Sequence, residues 1–259
     1  SVRRRVARDV SDRARLIGLR KRVMAEQNQT LSFTRGRLPH WLVAGKAYFV
    51  TLCRKGCLPA NVVADLQQER AELQCRQSGT SCRTGSDRGR ALDPVARDVS
   101  DRACVGADAL TVQRRRFLQL DAILDAVARG ERDLCESSAS GIILENLAWL
   151  RTHGWRIWAA TLMPSHLHVV MSSLAGCSNA LRKDLAGFMA YTARRINATR
   201  GVSGSLWQRE PFDHWCREGD AWFRSVSYTV NNPVKAGLCG SWREWPHTVV
   251  DEEVKALLS

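Results

Sequence analysis

The chain has 259 residues, 44% of them hydrophobic, and a formal charge of +13 from 39 Lys and Arg against 26 Asp and Glu. That length supports one large domain or two small ones with a sizeable buried core, and no run of about 18 apolar residues offers a membrane span. The charge points to a polyanionic partner, while nine cysteines, an odd count with no C-x-x-C pair, fit reduced thiols better than disulfides or a zinc ribbon.

Residues 1–37 read as a basic, disordered extension. Residues 1–40 hold 11 Lys and Arg against 3 Asp and Glu, a surplus of 8 within the total of +13, and a solvated arm touching nucleic acid nonspecifically suits them. The start "SVRRRVARDVSDRARLIGLRKRV" lacks the apolar stretch of a secretory signal, so the expectation is a soluble, cytoplasmic protein. A single domain is expected over 38–250, interrupted by an insertion at 70–111 rich in Ser, Gly, Arg and Asp, with 251–259 as a tail. "VARDVSDRA" occurs at 6–14 and again at 95–103, too short and isolated for a solenoid repeat.

"KAYFVTLC" (46–53) is a strand bounded by Gly45 and Gly56. Phe117, Leu120, Leu124 and Val127 make a helical stripe ending at Gly130, and Ile143, Leu147 and Leu150 make another ending at Gly154. "WRIWAATLM" (155–163) is a strand, Pro164-Ser165 a turn, and "HLHVVMS" (166–172) a second strand. Ser178 can cap a helix with the stripe Leu181, Leu185, Phe188 and Thr192. Asp220 can cap a last helix that Pro233 must end, with Phe223, Val226 and Val230 packing on the sheet and Arg224, Tyr228 and Asn232 on another face. An α+β domain follows, with helices packed on a central antiparallel sheet.

In a strand, residues i and i+2 project from one face, so His166 and His168 point together. Two imidazoles on one face can hold a divalent metal, with a third ligand from elsewhere; a pair of exposed or hydrogen-bonded strand histidines fits the spacing as well. Tyr228 supplies a phenol, Asn232 an amide oxygen suited to a hard cation, and Arg224 a guanidinium suited to phosphate. An amphipathic helix with a boundary tyrosine fits that spacing too. Arg194 and Arg195 are candidates for a polyanion's phosphates, with a solvated helix face as the alternative. Trp207, Trp215 and Trp222 are candidates for stacking on unpaired bases, with core packing as the alternative. Of the three tyrosines, Tyr48 is placed as a packing residue.

"MPSHLHVVM" followed by "SYTVNNPVKAGL" resembles the REP-associated tyrosine transposases, relatives of single-strand transposases with a histidine-hydrophobic-histidine motif and one catalytic tyrosine. "LPHWLVAGKAYFVTLCRKG", "GFMAYTARRIN" and "LWQREPFDHWCRE" extend the resemblance in order, across roughly 38–66 and 112–247. The resemblance implies a ferredoxin- or RRM-like fold and a bacterial, nucleoid-associated activity. It implies metal-dependent (Mg²⁺ or Mn²⁺) cleavage and joining of single-stranded DNA at hairpin-forming repeats, through a 5'-phosphotyrosine. On it, Tyr228 is the nucleophile, with Tyr191 as the second choice, and His166, His168 and Asn232 are metal ligands. Ser165 stands where the family's turn commonly has Asn, a change expected to matter little. A DNA-binding protein without activity and a hydrolytic metal-dependent nuclease are the alternatives.

Overall fold

The computed structural model describes residues 18, 30–35, 39–43, 46–58, 122–124, 133–174, 181–209, 211–216 and 221–258. Chain contacts divide the protein into Ser1–Cys57 with Val127–Ser259 as one unit and Leu58–Ala126 as another. The first unit carries the strands β1 (Thr30–Arg35), β2 (Pro39–Val43), β3 (Ala47–Cys53), β4 (Trp155–Leu162), β5 (His166–Ser173), β6 (Phe212–Trp215) and β7 (Thr248–Val250). Its helices are α1 (Ser137–Thr152), α2 (Leu181–Arg200), α3 (Ala221–Lys235) and α4 (Glu252–Lys255). β1 and β2 form a two-stranded antiparallel ribbon. The main sheet is antiparallel throughout, in the order β6-β3-β5-β4-β7. The architecture is α+β, as the alternation of elements in the sequence predicts.

β5 is central, and all of it but Ser173 is buried. Its alternation sorts residues into two layers. Leu167, Val169 and Met171 join Tyr48, Val50 and Leu52 of β3 in the core beneath α1 and α2, which contribute Ile143, Leu147, Leu150, Leu185, Phe188 and Ile196. The stripes predicted for both helices are therefore the ones that are buried. Trp155 Nε1 donates to Asp184 Oδ2 at 2.8 Å, fastening α2 to the end of β4. Gly154, with φ of 84°, occupies the left-handed position after α1 that a side chain would strain.

α3 packs on the other face, across β3, β4 and β5. A bulge between Ile157 and Ala159 shifts the β4 register, and Trp158 meets Trp222 of α3 edge-on at 5.0 Å. Trp158 Nε1 also donates to Ser172 Oγ at 3.0 Å. The apolar stripe differs from the predicted one. Trp222, Val226, Thr229, Val230, Asn232 and Pro233 are buried on α3, while Phe223 is only half-buried. Val226 and Val230 are buried as expected, and Trp222, packed against Trp158, takes the first place in the stripe instead of Phe223.

Pro233 also behaves differently from the expectation that it ends the helix. α3 continues to Lys235, since a proline near the C-terminus gives up one N–H and leaves later bonds intact. Gly237 N donates to Val234 O at 2.9 Å and Leu238 N to Pro233 O at 2.8 Å, a Schellman closure around Gly237 at φ 70°. The expected tail is likewise fixed. Arg156 Nε and Nη2 donate to Asp251 Oδ2 at 3.0 Å and Oδ1 at 2.9 Å, and Val254 is buried. The caps at Ser178 and Asp220 and most of 1–37, 70–111 and 114–130 lie outside the described residues, of which 122–124 are helical.

Among the described residues no helix is long and apolar enough to cross a membrane. Cys53, Cys57, Cys135, Cys216 and Cys239 are free thiols. Gly237→Ala is expected to destabilise the protein by about 1–2 kcal/mol, the cost of a Cβ in a left-handed conformation, because space alone does not oppose it. A lower urea midpoint at unchanged slope checks this; an unchanged midpoint would contradict the closure described.

Candidate active site

β3 and β5 pair so that Thr51 lies opposite His168 and Cys53 opposite His166. Directly opposed residues of antiparallel strands share a face, so both histidines stand on the α3 side of the sheet. Their ring centroids are 4.5 Å apart at 72°, and both residues are fully buried. Burying two imidazoles is costly unless their nitrogens are engaged. Thr51 Oγ1 lies 2.9 Å from His168 Nδ1, and Ser165 Oγ lies 3.0 Å from His166 Nδ1. Each hydroxyl holds one nitrogen and so fixes how its ring is turned, and the Nε2 of both rings, also buried, is the nitrogen that could take a metal.

Ser165 thus orients His166 from the adjoining turn. Thr51 is missed in the sequence reading altogether. Its signal is the cross-strand register, which pairs positions 117 residues apart and which strand periodicity along one segment does not contain.

α3 brings the other groups. Tyr228 is half-buried, with its ring edge-on to His168 at 5.7 Å between centroids and to Phe49 at 5.9 Å. Phe49 also packs against His168, with centroids 5.2 Å apart, forming an apolar wall shared by phenol and imidazole. Asn232, one turn further on, donates from Nδ2 to the Tyr228 hydroxyl at 3.3 Å. Asn232 is fully buried, and its Oδ1 accepts no hydrogen bond among the described residues. That carbonyl is a buried oxygen suited to a cation. The four residues His166, His168, Tyr228 and Asn232, from two separate elements, meet in one place.

The remaining candidates do not join them. Trp207 is 2% exposed and donates from Nε1 to Thr192 Oγ1 at 2.9 Å, so it is a core residue with no face for a base. Trp222 is buried against Trp158, and the Trp215 side chain lies outside those described. Arg194 and Arg195 are exposed on α2, the helix on the opposite side of the sheet from the histidines. Tyr191 accompanies them, its hydroxyl accepting from Arg195 Nη1 at 2.8 Å, which removes it from the imidazole pair. Arg224 is exposed on α3, one turn before Tyr228. Tyr48 is buried in the core.

Among the described residues no three His, Cys, Asp or Glu side chains form a metal-holding group, so a cation at the histidines needs an amide, a water or substrate oxygens as well. On β6's flank, burial pushes the Cys216 thiol up to about 11, against the opposing effects of its hydrogen bond with Ser225 and the charge of Arg224. Cys216 thus remains a protonated packing group.

No family model matches the chain. Over 106 residues it is 24% identical to a putative REP-associated tyrosine transposase of Haemophilus influenzae, a match covering 38% of this chain and 60% of that relative's length. A solved structure of a REP-associated tyrosine transposase bound to a REP hairpin aligns with a TM-score of 0.45 and 12% identity, covering 83% of this chain and 82% of that one. The chain is similar in sequence, across that matched portion, to a REP-associated tyrosine transposase.

Proposed function

We propose that this protein cleaves and rejoins single-stranded DNA at or near hairpin-forming repeats, with Tyr228 as nucleophile. The observation that carries the reading is the meeting of the Tyr228 and Asn232 pair with the His166 and His168 pair. One helix and one strand, distant in sequence, place a phenol and three ligand-type groups together. The similarity to a REP-associated tyrosine transposase supports it, and so does the surplus of basic residues.

The residues suit a divalent ion. His166 and His168 would bind through Nε2, with Nδ1–H donating to Ser165 and Thr51, and Asn232 would bind through Oδ1. Mg²⁺ and Mn²⁺ both match this mixture of nitrogen and oxygen. When bound, the ion supplies positive charge to phosphoryl oxygens and to the departing oxygen.

The protein's own groups do the rest. Phe49 and His168 hold the phenol ring edge-on, and Asn232 Nδ2 holds the phenolic oxygen, which limits the directions from which that oxygen can attack. Attack on phosphorus forms the Tyr228 O–P bond and breaks the bond to the 3' oxygen, which leaves as a hydroxyl after taking up a proton. The phenolic proton passes to water, which returns one to the 3' oxygen, and Asn232 Nδ2 donates to the phenolic oxygen as that proton leaves, which eases ionisation of a phenol whose ordinary pKa is about 10. The product is still a phosphodiester, so a 3'-hydroxyl of another DNA end can reverse the step and release Tyr228 without ATP. Arg224, exposed one turn away, is placed for a backbone phosphate.

Incubation with a hairpin oligonucleotide bearing single-stranded flanks, in Mg²⁺ or Mn²⁺, is expected to give a denaturant-resistant protein-DNA adduct that Tyr228→Phe abolishes. Cleavage without an adduct would identify a hydrolytic nuclease, and binding without cleavage would identify an inactive DNA-binding protein. Chelation, His166→Ala and His168→Ala are each expected to reduce the adduct to background; full yield from either variant at the same metal concentration would remove that histidine from the ligand set. Thr51→Val is expected to lower metal affinity about 10- to 100-fold by freeing the His168 ring, with Thr51→Ser close to the parent. Titration calorimetry with Mn²⁺ reads this directly.

A further inference from the structure

Lys235 lies in the last turn of α3, and its Nζ sits 5.3 Å from the centroid of the Tyr228 ring. Seven residues separate the two, so they share a face of the helix. Arg224 stands four residues before Tyr228 on the same face. The stripe reads cation, phenol, amide, cation. Its two ends are exposed, Tyr228 is half-buried and Asn232 is fully buried. At the rise of an α-helix, Arg224 and Lys235 are separated by about 16 Å along the axis. α3 contains no Asp or Glu, so a polyanion laid along this face meets positive charge at both ends and the phenol between them.

We propose that Lys235 is a phosphate anchor for the DNA strand at Tyr228. Its ammonium and the Arg224 guanidinium hold backbone phosphates on either side of the one that Tyr228 attacks. This rests on the reading of Tyr228 as nucleophile. The polarity of α3 then sets the track of the strand, with the linkage to be cut held at the half-buried centre and its neighbours at the exposed ends. Lys235 is thereby a positioning residue, since it holds the strand and leaves the bond changes to Tyr228.

Two purely structural roles compete for the same side chain. A lysine near a helix C-terminus interacts favourably with the helix dipole, and an ammonium over a phenol gains a cation-π contact. Both predict a change in stability and none in the salt dependence of DNA binding. Each phosphate contact to a single strand, by contrast, contributes about 0.7 to the slope of log affinity against log salt concentration.

The test measures that slope by fluorescence anisotropy for a hairpin oligonucleotide with single-stranded flanks, using the full chain and the variants Lys235→Gln, Lys235→Arg and Lys183→Gln. Lys183 is exposed on α2, beyond the sheet, and controls for loss of one general charge. Lys235→Gln is expected to flatten the slope by about 0.7. Lys235→Arg is expected to restore it, Lys183→Gln to leave it unchanged, and a blunt hairpin without flanks to show no difference. An unchanged slope with only a lower melting temperature would assign Lys235 to the helix dipole or the ring, and equal flattening by Lys183→Gln would reduce it to bulk charge; either overturns the anchor. Adduct formation separates this from the nucleophile reading. A Lys235-dependent slope without an adduct keeps the phosphate contact and removes Tyr228 as nucleophile, whereas an adduct with an unchanged slope does the reverse. No binding by the parent chain would overturn both.

Discussion

Strand β5 must present His166, His168, Val170 and Ser172 to α3 while Leu167, Val169 and Met171 enter the core beneath α1 and α2. A slip of one residue against β3 would exchange the two sets, driving imidazoles into an apolar layer and aliphatic side chains toward the site. Hydrophobic burial on one face therefore fixes the register, and the register delivers Thr51 to His168. The same pairing leaves Ser165 in the tight turn where it can hold His166; Met163 N closes that turn by donating to His166 O at 2.8 Å. Orientation of the imidazoles is thus a consequence of core packing, with two hydroxyls completing it.

The second half of the site depends on how α3 is seated. Trp222 against Trp158 anchors its beginning, and the Schellman closure at Gly237 ends it. Between these ends the helix presents Tyr228 at the edge of the contact and Asn232 inside it. A fully buried amide oxygen without a hydrogen-bond partner among the described residues is a cost that folding alone does not explain. The same amide holds the Tyr228 hydroxyl through Nδ2, and the proposed ligand role rests on that buried oxygen and that contact.

The tryptophans show how the rest of the domain supports this arrangement. Trp155, Trp158, Trp207 and Trp245 each combine a large apolar surface with one donated hydrogen bond, to Asp184, Ser172, Thr192 and the Leu162 carbonyl. They join strands to helices and fix the ends of elements. The sequence leaves base stacking and core packing both open for Trp207 and Trp222; burial assigns both, with Trp155 and Trp158, to the scaffold. The exposed cations of α2 and α3 lie on opposite sides of the sheet.

Local periodicity in the sequence determined much of this protein. The apolar stripes of α1 and α2, the strands at β3, β4 and β5, the shared face of His166 and His168, and the one-turn spacing of Tyr228 and Asn232 all follow from repeats of 3.6 or 2 residues that a single segment carries. The motifs around "HLH" and "SYTVNNPVKAGL" also pointed to the transposase resemblance before any contact was known. What only the tertiary structure decided is what one segment meets in another. Register placed Thr51 beside His168, Trp222 took the place expected of Phe223 on the buried side of α3, burial took Trp207 from the surface, and the sheet separated Tyr191, Arg194 and Arg195 from the histidines. These depend on packing between residues far apart in the chain, where the competing volumes of side chains, and no local repeat, choose the outcome.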